Sequence, residues 1–177
     1  MVSLQQPMPA CDLLMLPGSK NVRHDLKELK DNGWAEQINK HLRYGGRVMG
    51  ICGGLQMLGE QVHDPDGIED TAGSETGLGL LPLTTTLMQK KTLSYFNGRL
   101  NSTSFSVEEN TPFNGYEIHC GESTHTKKME PLAADANGNP EGCISDDGNI
   151  IATYVHGLFD NASTANALLK WAGLDST

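Results

Sequence analysis

Two short apolar runs constrain this chain more than any other feature. Leu13-Leu14-Met15-Leu16 stops at Pro17-Gly18-Ser19, and Val48-Met49-Gly50-Ile51 stops at Cys52-Gly53-Gly54. A short continuous apolar run bounded by turn residues is the pattern of a strand buried on both faces, and such strands belong to parallel sheets. Between the runs, residues 22–43 carry helix formers with apolar positions at Val22, Leu26, Leu29, Ile38 and Leu42. The break at Asn32-Gly33 makes this either two helices or one broken helix. Asn21 is placed to cap its start and Gly45-Gly46 to end it. Residues 54–62 read as a further helix. Strand, helix, strand, helix at this spacing predicts an α/β domain, a mostly parallel sheet with flanking helices and right-handed crossovers.

The pattern changes after Asp64-Pro65-Asp66-Gly67, a strong turn signal. Residues 84–87, 103–107, 116–120 and 150–155 read as strands separated by polar loops, so antiparallel strands are expected in the C-terminal half. Asp146-Asp147-Gly148 reads as a hairpin tip, and residues 161–171 as a closing amphipathic helix. With 177 residues, the chain suits one domain with one substantial core. The net charge of −9 disfavours nucleic acid, which needs clustered Lys and Arg. No apolar run approaches the ~18 residues of a membrane span, and no signal peptide opens the chain. The four cysteines, Cys11, Cys52, Cys120 and Cys143, form no CxxC pair, as expected of reduced thiols in the cytoplasm.

Gly50-Ile51-Cys52-Gly53-Gly54 fits the cysteine form of a nucleophile elbow, a sharp strand-to-helix turn that exposes the nucleophile. There the Gly53 N–H would share space with the sulfur, and the helix N-terminus would favour thiolate over thiol. The same spacing also suits a tight turn around an inert, buried cysteine. A thiol nucleophile wants a histidine base, which can lie far off in sequence. Of the six histidines, His156 follows a strand-like run and precedes Gly157, at the kind of strand end where α/β sheets keep ligands. His119, in Gly115-Tyr116-Glu117-Ile118-His119, is the competitor; His24, His41 and His63 lie on polar stretches. His119, Cys120, His125 and Cys143 match no common zinc spacing, so no metal is expected.

Six blocks occur in order: Leu16-Pro17-Gly18-Ser19-Lys20-Asn21, Gly50-Ile51-Cys52-Gly53-Gly54-Leu55-Gln56-Met57-Leu58-Gly59, Asp64-Pro65-Asp66-Gly67-Ile68-Glu69, Gly77-Leu78-Gly79-Leu80-Leu81-Pro82, Gly115-Tyr116-Glu117-Ile118-His119 and Tyr154-Val155-His156-Gly157-Leu158-Phe159-Asp160. Together they resemble the C-terminal glutamine amidotransferase domain of cobyric acid synthases, over essentially the whole chain. The resemblance implies a flavodoxin-like class I amidotransferase fold. It implies that Cys52 attacks the glutamine amide, that His156 serves as base and acid, and that Gly53 and the Gly18-Ser19 loop hold the oxyanion. Gln56 and Lys91 would contact glutamine, with His119 and Glu117 in secondary roles.

Many class I amidotransferases carry a glutamate two residues after the histidine. Leu158 stands there, as in the cobyric acid synthase branch, which leaves a Cys-His dyad helped by Asp160 or a backbone carbonyl. The resemblance also implies a missing first strand-helix portion and a missing N-terminal synthetase domain. That domain would bring ATP and Mg and bind the corrinoid acceptor; this chain, without a P-loop, needs no cofactor of its own. The alternatives are an amidotransferase subunit for peptidoglycan precursors, a cobyrinic acid a,c-diamide synthase, or a non-catalytic docking remnant. A cysteine peptidase of similar fold often has histidine after its nucleophile, where this chain has Gly53.

Overall fold

The computed structural model describes residues 2–105 and 107–174. Its elements run β1 (Leu13–Leu16), α1 (Val22–Asp31), α2 (Trp34–Arg43), β2 (Arg47–Ile51), α3 (Gly53–Leu58), β3 (Gln61–Asp64), β4 (Gly73–Thr76), β5 (Leu83–Leu100) and α4 (Ser102–Phe105). They continue with β6 (Pro112–His125), β7 (Ala133–Asp135), β8 (Pro140–Glu141), β9 (Cys143–Ile144), β10 (Ile150–Thr153), β11 (Val155–His156), a 3-10 turn (Leu158–Asp160) and α5 (Ala162–Trp171).

The expected α/β architecture is present as two sheets. The first has the order β1-β2-β10-β9, with β1, β2 and β10 parallel and β9 antiparallel. Alternate residues of these strands feed opposite faces. Val48 and Ile150 pack with Leu29, Trp34, Ile38 and Leu55 from the helices, whereas Met49 and Ile151 pack with Phe113, Val155 and Leu168 on the other side. Burial on both faces is why β2 and β10 read as unbroken apolar runs; β1, expected to be buried likewise, is the edge strand and leaves Met15 exposed. The second sheet, β11-β6-β5-β3-β4, is antiparallel except for the β3–β5 pair, and β7 and β8 extend it from β5.

Register places the site. Leu16 pairs with Gly50, Gly50 with Ala152, and Ile51 with Thr153, so β1, β2 and β10 end level with one another. Whatever follows each strand therefore emerges at one edge: the Pro17-Gly18-Ser19 loop, Cys52, and the Tyr154-Val155-His156 segment.

Asn21 caps α1, its side chain accepting from the His24 N–H at 3.1 Å. Gly33, at φ 78, resolves residues 22–43 into two helices. Two expectations fail. The helix expected over 54–62 ends at Leu58, because Gly59 turns extended and packs so close to β5 that a Cβ there would lie 2.6 Å from the Leu83 carbonyl oxygen. The chain then enters β3, with Val62 and Asp64 buried and Gln61 and His63 half-buried. In place of the strand expected over 103–107, Ser102–Phe105 is a helical turn capped by Asn101, whose side chain accepts from the Ser104 N–H, and Phe105 anchors it in the core beside Trp171. Ser106 lies outside the described residues. Among the described residues no helix is long and apolar enough to cross a membrane.

Candidate active site

Cys52 has φ 54 and ψ −109, and among the described residues it is the one non-glycine with positive φ. Such backbone typically stores about 1–3 kcal/mol of strain and persists only when its surroundings hold it. The surroundings are specific. Cys52 donates its N–H to the Thr153 carbonyl at 2.8 Å, and its own carbonyl accepts from the Gln56 N–H at 3.2 Å. A Cβ on Gly50 would lie 2.8 Å from the Gly54 carbonyl carbon, and one on Gly54 only 2.0 Å from the Leu16 carbonyl oxygen. The elbow closes because both positions lack side chains.

Gly53 brings the start of α3 against the loop after β1, where a Cβ would come within 2.7 Å of the Ser19 nitrogen. That loop is braced from several sides. Ser19 donates its hydroxyl to Asp25 at 2.5 Å and accepts from the Asn21 N–H at 3.0 Å. Glu69 accepts from the Val22 N–H at 2.7 Å, while the buried Asp64 accepts from Ile68 and Glu69 N–H groups and lies 3.8 Å from the Arg23 guanidinium. The Asp64–Glu69 turn, which sequence reasoning singles out without a role, thus holds Val22 and Arg23 at the start of α1, just after the Gly18-Ser19 loop.

His156 leaves the first sheet and pairs with Tyr116 on β6. Gly18 lies beside both His156 and Cys52, since a Cβ there would meet His156 Cε1 at 3.5 Å and Cys52 Cβ at 3.8 Å. His156 Nε2 is buried and has no hydrogen-bond partner among the described residues. Leu158 points into the core and brings no carboxylate to the ring; Asp160 is exposed and lies beside Gly157.

The other histidine is occupied. His119 Nδ1 bonds the Gly121 carbonyl at 2.7 Å, and its ring stacks on Tyr154 with centroids 3.8 Å apart. β6 nevertheless borders Cys52, whose thiol donates to the Ile118 carbonyl oxygen at 3.5 Å. Glu117 accepts from the Ser94 hydroxyl of the adjacent strand. Gln56 is buried, and its amide donates to the Tyr154 hydroxyl at 3.2 Å, which in turn bonds Ser123 and through it Thr85. Lys91 is exposed in the irregularity between Leu87 and Thr92, just before Thr92, which pairs with His119.

The electrostatics correct one expectation. Burial pushes the Cys52 thiol above its ordinary range; the Gly53 N–H pulls the other way, and Cys120 and Glu69 add to the rise. Helix α3 is too short and the sulfur too enclosed for the helix terminus to prevail over desolvation. The resting group is a thiol.

Sequence reasoning misses Glu141. This buried carboxylate accepts from the Thr153 hydroxyl at 2.8 Å and from the Tyr154 N–H at 2.9 Å, at the point where β10 gives way to β11. Burial pushes its carboxyl up from 4.5 to about 7, against the pull of those two donors and with a further push from Glu117. The folded chain therefore holds this proton more tightly than the unfolded chain. Stability falls as pH rises from 4.5 to about 7 and is level above that. The fall is on the order of 3 kcal/mol. Urea unfolding across this window is expected to show the decline in the wild type and its loss in Glu141→Gln; parallel stability curves would contradict it.

A cysteine elbow ending one parallel strand, with a histidine leaving the next and a glycine loop beside both, lies on an α/β scaffold of the class I glutamine amidotransferase type. Solved structures share that scaffold. One described as a glutamine amidotransferase has 17% identity and a TM-score of 0.65, covering 92% of this chain and 80% of that one. PurLQS from Thermotoga maritima gives 18% identity and a TM-score of 0.69, covering 96% and 84%. A putative GMP synthase component from Thermoplasma acidophilum gives 16% and 0.58, covering 92% and 71%. The chain belongs to the CobB/CobQ-like glutamine amidotransferase domain family, whose model matches residues 1–164.

Proposed function

We propose that this chain hydrolyses glutamine through a Cys52 thioester, supplying ammonia for the ATP-dependent amidation of corrinoid carboxylates that cobyric acid synthases perform. Cys52 Sγ attacks the side-chain amide carbon while His156 Nε2 takes the thiol proton. Negative charge gathers on the amide oxygen, where the Gly53 N–H and an N–H of the Gly18-Ser19 loop receive it. A lost donor of this kind typically costs about 3–4 kcal/mol of barrier. The C–N bond then breaks as His156 returns the proton to the leaving nitrogen, releasing ammonia. Water, deprotonated by His156, attacks the thioester; glutamate leaves and the thiol is restored.

The observation that carries this reading is the meeting of Cys52 and His156 at Gly18, with the imidazole Nε2 buried and unpartnered among the described residues. A buried ring nitrogen without a partner is costly, and a thiol proton or a leaving amine gives it one. Gln56 and Lys91 are proposed as glutamine contacts on the resemblance alone. The synthetase partner, with its ATP, Mg and corrinoid acceptor, and a cytoplasmic setting are proposed on the same footing.

Diazo-oxo-norleucine, a glutamine-mimicking electrophile, is expected to modify Cys52 in the wild type and nothing in Cys52→Ser, read by peptide mass. Folded protein that remains unmodified would overturn the glutaminase assignment. For the acceptor, amide-labelled glutamine supplied with a cobyric acid synthetase domain is expected to label the corrinoid carboxamides.

A further inference from the structure

Two passages of the chain between the sheets lie side by side, and one carboxylate joins them. Strand β8 belongs to the second sheet and β9 to the first, with Gly142 between them at φ 64. Strand β10 belongs to the first sheet and β11 to the second, with Tyr154 between them. They touch closely: a Cβ on Gly142 would lie 2.5 Å from the Ala152 carbonyl oxygen.

A strand that changes sheets takes donors off the ladder, and buried donors must find acceptors elsewhere. Glu141 supplies them. Its two oxygens each lie 2.8 Å from the Thr153 hydroxyl, and one also accepts from the Tyr154 N–H at 2.9 Å. Thr153 passes the link in both directions. Its hydroxyl accepts from the Val155 N–H at 2.9 Å, one residue before His156, and its carbonyl accepts from the Cys52 N–H at 2.8 Å. From this one carboxylate, hydrogen bonds run to the elbow on one side and to the histidine segment on the other.

We propose that Glu141 is a positioning residue that fixes the distance between Cys52 and His156 by clamping the β10–β11 crossing. The inference rests on the Cys52–His156 reading above. In its ionised form a carboxylate suits the task because it only accepts, and both groups it meets are donors. An amide in its place would present an NH2 to one of them. Leu158 is buried in the core, so no side chain from that position steadies the ring, and the clamp acts through the backbone instead.

Glu141→Gln, Thr153→Val and Thr153→Ser test the clamp in the full chain. Two readouts are taken: glutaminase kinetics, and the pH profile of Cys52 alkylation by iodoacetamide, which needs no glutamine. Misplacement of reacting groups by about 1 Å can cost about 100-fold. Glu141→Gln and Thr153→Val are expected to lose roughly 10- to 100-fold in kcat, with KM held within about threefold, and to displace the alkylation profile. Thr153→Ser, which keeps the hydroxyl, is expected to behave as wild type. A purely structural role would lower stability and leave profile and kcat in place, and that result in folded Glu141→Gln or Thr153→Val overturns the proposal. His156→Ala separates the two readings. If it alone displaces the profile, the clamp fails and the base stands. If the Glu141 and Thr153 variants displace it and His156→Ala does not, Glu141 positions the elbow and the choice of base fails.

Discussion

Alanine at position 54 is expected to leave no stable elbow. Its Cβ would sit 2.0 Å from the carbonyl oxygen and 2.6 Å from the carbonyl carbon of Leu16. Those are backbone atoms at the end of β1, and Leu16 is held in register opposite Gly50 of β2. A flexible side chain could swing aside, but here the strand or the whole of α3 must move. Moving α3 disturbs Leu55 and Leu58, which pack in the core beneath the helices. Substitutions that force backbone shifts in a packed interior belong to the tail beyond about 4 kcal/mol. For a chain of this size that is a fall of roughly 10 °C or more in melting temperature. Gly18→Ala is the contrast, because a Cβ there would meet its neighbours at 3.5 and 3.8 Å, ordinary contact distances. It is expected to melt close to the wild type while hydrolysing glutamine poorly, since the added methyl packs against both the His156 ring and the Cys52 side chain. Thermal melts of the two variants check the pair. A Gly54→Ala protein melting within a few degrees of the wild type would show that α3 has freedom its packing denies.

The parts of this fold that sequence displays are those set by local chemistry. Asn21 and Asn161 cap helices because their side-chain oxygens reach the next N–H groups, a preference visible in the residue alone. The β2 run stands out because helices on one face and β6 with α5 on the other bury both sides, whereas the edge strand β1 reads the same way although Met15 is exposed. Cys52 is legible through its glycines, and the structure shows what each excludes. What escapes depends on partners distant in the chain. The tail of residues 54–62 reads as helix until Leu83 is known to lie against Gly59. Residues 88–95 of β5 are almost all exposed, Leu93 and Tyr95 included, so no buried face announces a strand paired to Pro112–His125. Glu141 sits in a stretch of Asn, Gly and Pro, where a glutamate ordinarily faces water. Its burial comes from two sheet crossings that meet only in three dimensions. The thiol of Cys52 departs from expectation for a related reason, because a helix terminus is visible in sequence and desolvation is not.

Removing the imidazole at position 156 is expected to cost the largest share of glutamine hydrolysis. Because burial holds the Cys52 thiol above its ordinary range, little thiolate forms at neutral pH unless a base takes the proton. General acid–base groups typically contribute about 10²- to 10⁴-fold. His156→Ala is expected to lose that factor in kcat, because the same ring must also protonate the leaving amine. Its residual rate is expected to climb with pH further than the wild type's, since hydroxide then does by titration what His156 does by proximity. His119→Ala is expected to lose less than about tenfold. Its Nδ1 is already committed to Gly121 and its ring to Tyr154, so its removal loosens the Gln56–Tyr154–Ser123 chain without taking a proton acceptor from the sulfur. Steady-state rates of glutamate release for both variants across pH decide between the rings. A His119→Ala protein that loses more than His156→Ala would place the base on β6, where the Ile118 carbonyl already borders the thiol.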